Sequence, residues 1–260
     1  MNIIVLVKQV PDTDKVKIDP ETGTMIREGF EATINTFDLH ALELAVRIKE
    51  KMGAKVTTVS MGPPNTEDIL KQSIALGADE AILLTDRLFA GADTLATSVS
   101  LARAIKNINF DLIVAGERAT DGETGQVGPE VGVLLGIPVV SYVSRLVEID
   151  ENSIVVERSV EDGTERWQVK LPALIAVTRA VSDPRLPTLS GKKKAMKSSV
   201  KKLSASDLEL KTKEIGLEGS PTRVSKVFNV KVTRNVQMYE GENLQEGINR
   251  VVEILRGYVK

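Results

Sequence analysis

The chain has 260 residues, with 34 lysines and arginines against 36 aspartates and glutamates, a single histidine and no cysteine. A formal charge of -2 gives no reason to expect nucleic acid or a membrane surface as partner. The missing cysteines exclude disulfides, thiolate-held zinc, iron–sulfur clusters and cysteine nucleophiles, and one histidine (His40) cannot build a multi-histidine site, so any chemistry is expected to come from a bound cofactor.

Ile3 to Val7 is an apolar run of strand length, of the kind buried on both faces of a sheet. It has no basic leader and reads as a first strand rather than a signal peptide. No segment approaches the length of a transmembrane helix. Val16 to Ile26 alternates around a Pro-Glu-Thr-Gly turn and suggests a small hairpin at the rim. Asp38 is the expected N-cap of a helix carrying Ala41, Leu42, Leu44, Ala45 and Ile48, which Gly53 ends. Lys55 to Ser60 is the next strand, and Met61-Gly62-Pro63-Pro64 leads into a helix from Thr66 to Leu76. The rhythm repeats with a strand at Ala81–Leu84 and a helix capped by Asp93 or Thr94 that runs through Ala104. It closes with a strand at Leu112–Ala115, a helix at Gln126–Leu135 and a short strand at Ile137–Ser141. Alternation of this kind predicts an α/β fold, a doubly wound and mostly parallel sheet with helices on both faces.

After Ser141 the pattern changes. Val143–Ile149, Ile154–Val160 and Arg166–Lys170 read as an antiparallel hairpin extension, and Ala173–Val177 returns to the buried-strand type. Ser182 to Ser225 shows little periodicity, with several prolines and many lysines; so long a loop implies a functional or docking segment. Asn243 to Tyr258 spaces Leu244, Ile248, Val251, Val252, Ile254 and Leu255 as a final amphipathic helix.

The richest stretch is Gly116-Glu117-Arg118-Ala119-Thr120-Asp121-Gly122-Glu123-Thr124-Gly125-Gln126-Val127-Gly128, a loop that leaves one strand and opens a helix. In a parallel sheet such loops meet nucleotides, because free backbone N–H groups and the positive end of the helix dipole face incoming phosphate. Its small residues allow close backbone approach, and Thr120, Asp121, Thr124 and Gln126 supply polar contacts. It matches neither G-x-G-x-x-G nor G-x-x-x-x-G-K-[ST], so an ordinary glycine-rich loop stands beside the nucleotide reading. The loops after Val7, Ile34, Met61 and Ala92 are expected to converge on the same crevice. There Asn35 and Asp38 fit either an adenine or ribose contact or a helix cap. Asp93, Thr94, Thr97 and Ser98 fit either a pyrophosphate or capping.

Elsewhere the plainer readings prevail. His40 sits at a helix start without a sequence neighbour to work with, and Trp167 suits hairpin packing better than a stacking platform. Carboxylates on the helices pair with lysines at helical spacing. Lys192 to Lys194 with Lys197, Lys201 and Lys202 reads either as a solvated loop or as a docking arm for an acidic protein surface; interleaved aromatics, which nucleic acid would favour, are missing. Asp183 to Leu189 exposes leucines in a way that favours contact with another chain.

Taken in order, Val5-Leu6-Val7-Lys8-Gln9-Val10-Pro11-Asp12, Asn35-Thr36-Phe37-Asp38, Val59 to Pro63, Gly77-Ala78-Asp79, Gly116 to Gly128 and Lys170 to Ala173 resemble the β subunit of electron transfer flavoproteins almost end to end. The resemblance implies a heterodimer with an electron transfer flavoprotein α subunit that carries FAD. It implies a nucleotide-binding α/β domain over residues 1–181 and a recognition loop with a C-terminal arm over 182–260 that packs on the α subunit. Matched by motif, the pocket comprises Leu6, Asn35, Thr36, Phe37, Asp38, Met61 and Gly116 through Val127, and Leu189 stands where the family's recognition loop anchors a partner dehydrogenase. One departure is Asn35-Thr36, where many members have Asn-Pro. Leu88 to Ser98 and Ala119 to Pro129 look like the electron-bifurcating group, which holds FAD rather than AMP in the β pocket. Asp93, Thr94 and Thr97 would then hold the part of FAD beyond its AMP half. In that group NADH is the electron donor, and ferredoxin or flavodoxin and an acyl-CoA-type or other flavin dehydrogenase are the acceptors; a cytoplasmic location is expected. An ordinary member with structural AMP, and a non-redox adenine-nucleotide module, are the alternatives. An adenylate-forming enzyme is disfavoured, since no Ser-Gly-Gly-x-Asp-Ser loop follows the first strand.

Overall fold

The computed structural model describes residues 1–11, 32–225 and 236–258. Among them, strand β1 (Asn2–Leu6) is followed by two short strands, β2 (Gln9–Pro11) and β3 (Ala32–Ile34), which pair antiparallel as a separate ribbon. Then come α1 (Thr36–Met52), β4 (Lys55–Met61), α2 (Thr66–Ala75), β5 (Glu80–Leu84), α3 (Thr94–Lys106), β6 (Leu112–Gly116) and α4 (Val127–Leu135). The chain continues through β7 (Val139–Ile149), β8 (Ser153–Val160), β9 (Gly163–Lys170), β10 (Ala173–Val177), α5 (Leu189–Lys197), β11 (Lys201–Leu203), the single turn α6 (Gly216–Gly219) and α7 (Leu244–Tyr258). The expected hairpin at Val16–Ile26 lies outside the described residues.

The main sheet has the order β11-β5-β4-β1-β6-β10-β7-β8-β9. Every pairing from β11 to β7 is parallel, and β7-β8-β9 is antiparallel. The doubly wound fold expected from the alternation is therefore present, with its hairpin extension. Strand β1 shows why its sequence is continuously apolar: Ile3, Val5 and Val7 enter one core, and Ile4 and Leu6 enter the other. Helices α1 and α2 pack on the first face, and α3 and α4 on the second. The order reverses at β1, between β4 and β6, and this switch point marks the crevice expected at the carboxyl ends of the strands in such sheets.

Three expectations need correction. Asp38 is not the cap of α1: the helix starts at Thr36 after Asn35, and the Asp38 carboxylate bonds to neighbouring loops rather than to its own helix. Gly53 does end α1, at φ 69°, where a side chain would be strained. The strands expected at Ile137–Ser141 and Val143–Ile149 are one, β7, which passes a register shift around Tyr142 (φ 60°) as its pairing moves from β10 to β8.

Residues 182–225, read as lacking periodic structure, instead contribute α5, packed on α2, and β11, the edge strand beside β5. Helix α5 leaves no periodic mark in the sequence because it buries only Ala195 and carries no apolar stripe. Helix α7, in a second compact unit, confirms the expected amphipathic segment. Among the described residues no helix is long and apolar enough to cross a membrane.

Candidate functional site

Three segments meet at the switch point, and two buried side chains hold them there. The Asn35 amide donates to the Arg118 carbonyl at 2.8 Å and accepts from the Thr120 N–H at 3.1 Å. Asp38 accepts from the Lys8 N–H at 2.7 Å and from the Gly116 N–H at 3.2 Å. Lys8 follows β1 and Gly116 ends β6, so Asp38 satisfies N–H donors at the ends of these strands, while Asn35 satisfies one carbonyl and one N–H of the loop. Burial pushes the Asp38 carboxyl up to about 7, against hydrogen bonds from Lys8, Asn35 and Gly116 that favour the charged form.

The loop from Gly116 to Gln126 folds on itself. Glu117 N–H donates to the Val177 carbonyl at 2.9 Å, and the Ala119 carbonyl accepts from Gly122 and Glu123. Glu123 (φ 53°) and Gly125 (φ 65°) take left-handed backbone conformations at its tip, which costs the glutamate some strain. The glycines divide by role. A Cβ on Gly116 would stand 2.4 Å from Asp38 Oδ1, and one on Gly128 would press on Ala115 at 3.3 Å, so both serve internal packing. Among the described residues beyond its chain neighbours, Gly122 faces open space apart from the Lys8 ammonium, 4.0 Å from its Cβ position. Thr120 and Thr124 are exposed, and Ala119 is half-buried. Phe37 is buried, with the guanidinium carbons of Arg118 and Arg179 at 5.2 and 4.6 Å from its ring centre. Thr36 beside it is exposed, while Leu6 is buried and Met61 half-buried at the ends of β1 and β4.

The start of α3 forms a second wall. Asp93 caps the helix by accepting from the Ala96 N–H at 3.1 Å. Its other oxygen accepts from the Thr222 N–H and hydroxyl at 3.0 and 2.8 Å, and its own N–H donates to Ser220 Oγ at 2.8 Å. Burial alone would push the Asp93 carboxyl up; these hydrogen bonds more than offset it and hold it below the usual carboxylate range. Thr94 Oγ1 donates to Gln126 Oε1 at 3.2 Å, so the N-termini of α3 and α4 are bridged. Thr97 lies one turn further on, half-buried. Ser98 is committed to Glu130 at 2.7 Å. Ser220, Thr222 and Arg179 were missed in the sequence, and no local signal marks them: each meets its partner only through the fold.

Away from the crevice, Leu189 opens α5 and is 81 % exposed, with Leu186 at 86 %. Their base is fixed. Arg185 reaches Glu43 through Nε at 2.7 Å and Glu50 through a second nitrogen at 3.0 Å. His40 is tied to the segment that follows β10, its Nδ1 against the Ser182 carbonyl while Ser182 Oγ donates to the His40 carbonyl at 2.9 Å.

Fold and site together define a doubly wound α/β protein with a polar, glycine-rich crevice at its switch point. Residues 22–208 match the family model described as the electron transfer flavoprotein domain. The electron transfer flavoprotein subunit beta of Thermoanaerobacterium thermosaccharolyticum is 48 % identical over 98 % of both chains. A caffeyl-CoA reductase-Etf complex subunit, CarD of Acetobacterium woodii, is 42 % identical over 98 % of both. Protein FixA of Azotobacter vinelandii is 42 % identical over 88 % of this chain and 84 % of its own. The chain belongs to the electron transfer flavoprotein family, among its β subunits, and its role is in electron transfer.

Proposed function

We propose that this chain pairs with an electron transfer flavoprotein α subunit and binds FAD in the switch-point crevice. The observation that carries the reading is the stapling of Lys8, Asn35–Asp38 and Gly116–Gln126 by Asn35 and Asp38, with Gly122 left open. Side chains spent on holding the loops leave backbone N–H groups and small residues to meet a ligand, which suits an adenine nucleotide. Asn35–Asp38, Leu6, Met61 and Gly116–Val127 would hold the adenine half, and Thr94 and Thr97 at the start of α3 the remainder. Asp93 serves there by fixing the helix start, since its carboxylate oxygens are already engaged.

A bound flavin would supply the chemistry, taking hydride from NADH and releasing electrons singly to ferredoxin or flavodoxin and, by way of the FAD of the α subunit, to a dehydrogenase. The chain's own residues bind, orient and exclude water; none acts as acid or base. Leu189, on its Arg185-braced base, docks the dehydrogenase, and residues 182–260 provide the recognition loop and the arm that packs on the α subunit. The relative named for a caffeyl-CoA reductase complex supports a dehydrogenase that handles CoA esters.

One observation favours a second reading. With Asp93 committed to Ala96 and Thr222, the start of α3 offers fewer groups to anything beyond an AMP half, as in an ordinary member that keeps AMP as a structural ligand. Co-expression with the α subunit, acid release of nucleotides and a count per heterodimer separates the two. Two FAD and no AMP are expected; one FAD and one AMP would make this the ordinary carrier.

A further inference from the structure

We infer that Lys8 reads the phosphate of the bound nucleotide, and that Asp121 is its counter-ion when no phosphate is there. The inference rests on the nucleotide reading above and adds the residue that recognises the anion. Lys8 stands at the carboxyl end of the central strand with its backbone locked: its N–H donates to Asp38 at 2.7 Å, and its carbonyl accepts from the Asn35 N–H at 2.9 Å. Only the side chain is free to move. Its ammonium meets Asp121 Oδ1 at 2.6 Å and, among the described residues other than the chain neighbours Asp121 and Glu123, is the group that comes within 4.0 Å of the Cβ position of Gly122. It therefore lies over the tip of the loop, on the side left open by glycine.

The fold has little use for this ion pair. The segments it joins are already held by the buried side chains of Asn35 and Asp38, whereas the Lys8 side chain is 48 % exposed. Exposed pairs contribute little to stability. A lysine ammonium is a compact charge on a flexible stem, able to exchange one anion for another without moving backbone. The neighbouring guanidinium groups of Arg118 and Arg179 stand over the Phe37 ring, and Arg118 also faces Glu117 at 3.4 Å. A phosphate brought to this loop would meet the Asp121 carboxylate as a like charge unless an ammonium stood with it. Lys8 is in place to do so, and a nucleotide phosphate monoester or pyrophosphate is the ligand chemistry it fits.

The two halves of the pair then have opposite effects on binding, which a mere brace would not. The heterodimer, stripped of its β-subunit nucleotide, is titrated calorimetrically with AMP and with adenosine, with thermal midpoints recorded for each variant. Lys8→Met is expected to weaken AMP about tenfold and leave adenosine unchanged, while Lys8→Arg keeps most of the AMP affinity. Asp121→Asn frees the ammonium and should tighten AMP, with the gain shrinking as salt is raised. If both Lys8→Met and Asp121→Asn weaken AMP and adenosine alike, the pair is a loop brace and the inference fails. Wild-type protein that binds AMP no better than Lys8→Met also overturns it, with the nucleotide site intact. Wild-type protein that binds neither AMP nor FAD overturns the site and the inference together.

Discussion

Asp93 and Thr222, 129 residues apart in the chain, share one carboxylate oxygen: the Thr222 N–H donates to it at 3.0 Å and the Thr222 hydroxyl at 2.8 Å. The second oxygen caps Ala96 and the Asp93 main-chain N–H donates to Ser220 Oγ, so the residue as a whole fastens residues 220–222 to the start of α3. A residue that the sequence offers as either a helix cap or a phosphate contact is thus a cap and a clasp.

Asp93→Ala removes both functions, and a lost N-cap alone costs about 1 kcal/mol. The urea midpoint is expected to fall, and the amides of Ala96 and Thr222 to exchange faster. FAD retention should fall with them, because the helix start that faces the ligand loosens. Thr94→Val, whose hydroxyl makes only an exposed bond to Gln126, should weaken FAD retention without moving the midpoint and leave AMP binding largely intact. Unchanged retention in both variants would remove Asp93–Thr97 from the flavin site.

A pH dependence follows from Asp38. In the unfolded chain an aspartate titrates near 3.9, whereas burial raises Asp38 to about 7 in the fold. Between those values the folded protein holds a proton that the unfolded chain has released. Its contribution is therefore full below the unfolded pKa and is lost as pH rises through the folded one, with a slope of up to about 1.4 kcal/mol per pH unit. Asp38→Asn should flatten that slope between pH 5 and 7. It should also lower stability by about 1–3 kcal/mol, since an amide offers one acceptor oxygen to two N–H donors. Urea unfolding at a series of pH values measures both effects; a variant with the wild-type slope would clear Asp38 of the titration.

The sheet was legible because its strands are long apolar runs and its helices carry stripes; β1, β4, β6 and β10 follow directly from that patterning. Helix α5 and strand β11 were not, because one buries a single alanine and the other has three residues, so neither leaves a periodic mark. The loops of the crevice were also recognisable from glycine content and position after strands. Their internal wiring was not. Asn35 and Asp38 look like capping residues, and only the approach of β1 to β6 presents the N–H groups and the carbonyl that draw their side chains sideways. Partners such as Asp93 and Thr222 depend on the whole fold and cannot be read locally.

Gly116, which ends β6, and Gly122, in the loop after it, should behave differently. In Gly116→Ala the new methyl would stand 2.4 Å from Asp38 Oδ1 and 2.7 Å from Phe37 Cβ, so α1 or β6 must shift. Overpacking of this kind costs about 1–3 kcal/mol, visible as a lower thermal midpoint of the nucleotide-free protein. Among the described residues beyond its chain neighbours, the methyl of Gly122→Ala meets only the Lys8 ammonium, at 4.0 Å, and the midpoint should hold. Its methyl would occupy the side of the loop assigned to the ligand, so nucleotide affinity should drop. A Gly122→Ala protein with full affinity would place the ligand elsewhere.

The docking turn gives a last contrast, between exposed Leu189 and Arg185, earlier in the same segment. Leu189, at 81 % exposure, has almost nothing to lose in the fold, so Leu189→Ala should leave the thermal midpoint unchanged. It should slow electron transfer to the partner dehydrogenase while NADH-driven reduction of the β-subunit flavin stays near normal. Arg185 works through position. Burial pushes the Glu43 carboxyl up, and hydrogen bonds from Arg185 and Arg47 hold it net below the usual carboxylate range. Arg185→Ala strips Glu43 of its Nε and terminal-nitrogen partners, leaving Arg47 and the main-chain N–H of residue 185. A stability loss of about 1–3 kcal/mol is expected, together with slower transfer to the dehydrogenase. Stopped-flow measurement of the two transfer steps in both variants decides the matter: slow dehydrogenase reduction with normal NADH oxidation is the expected pattern, and normal rates for both steps in Leu189→Ala would show that the dehydrogenase docks on another surface.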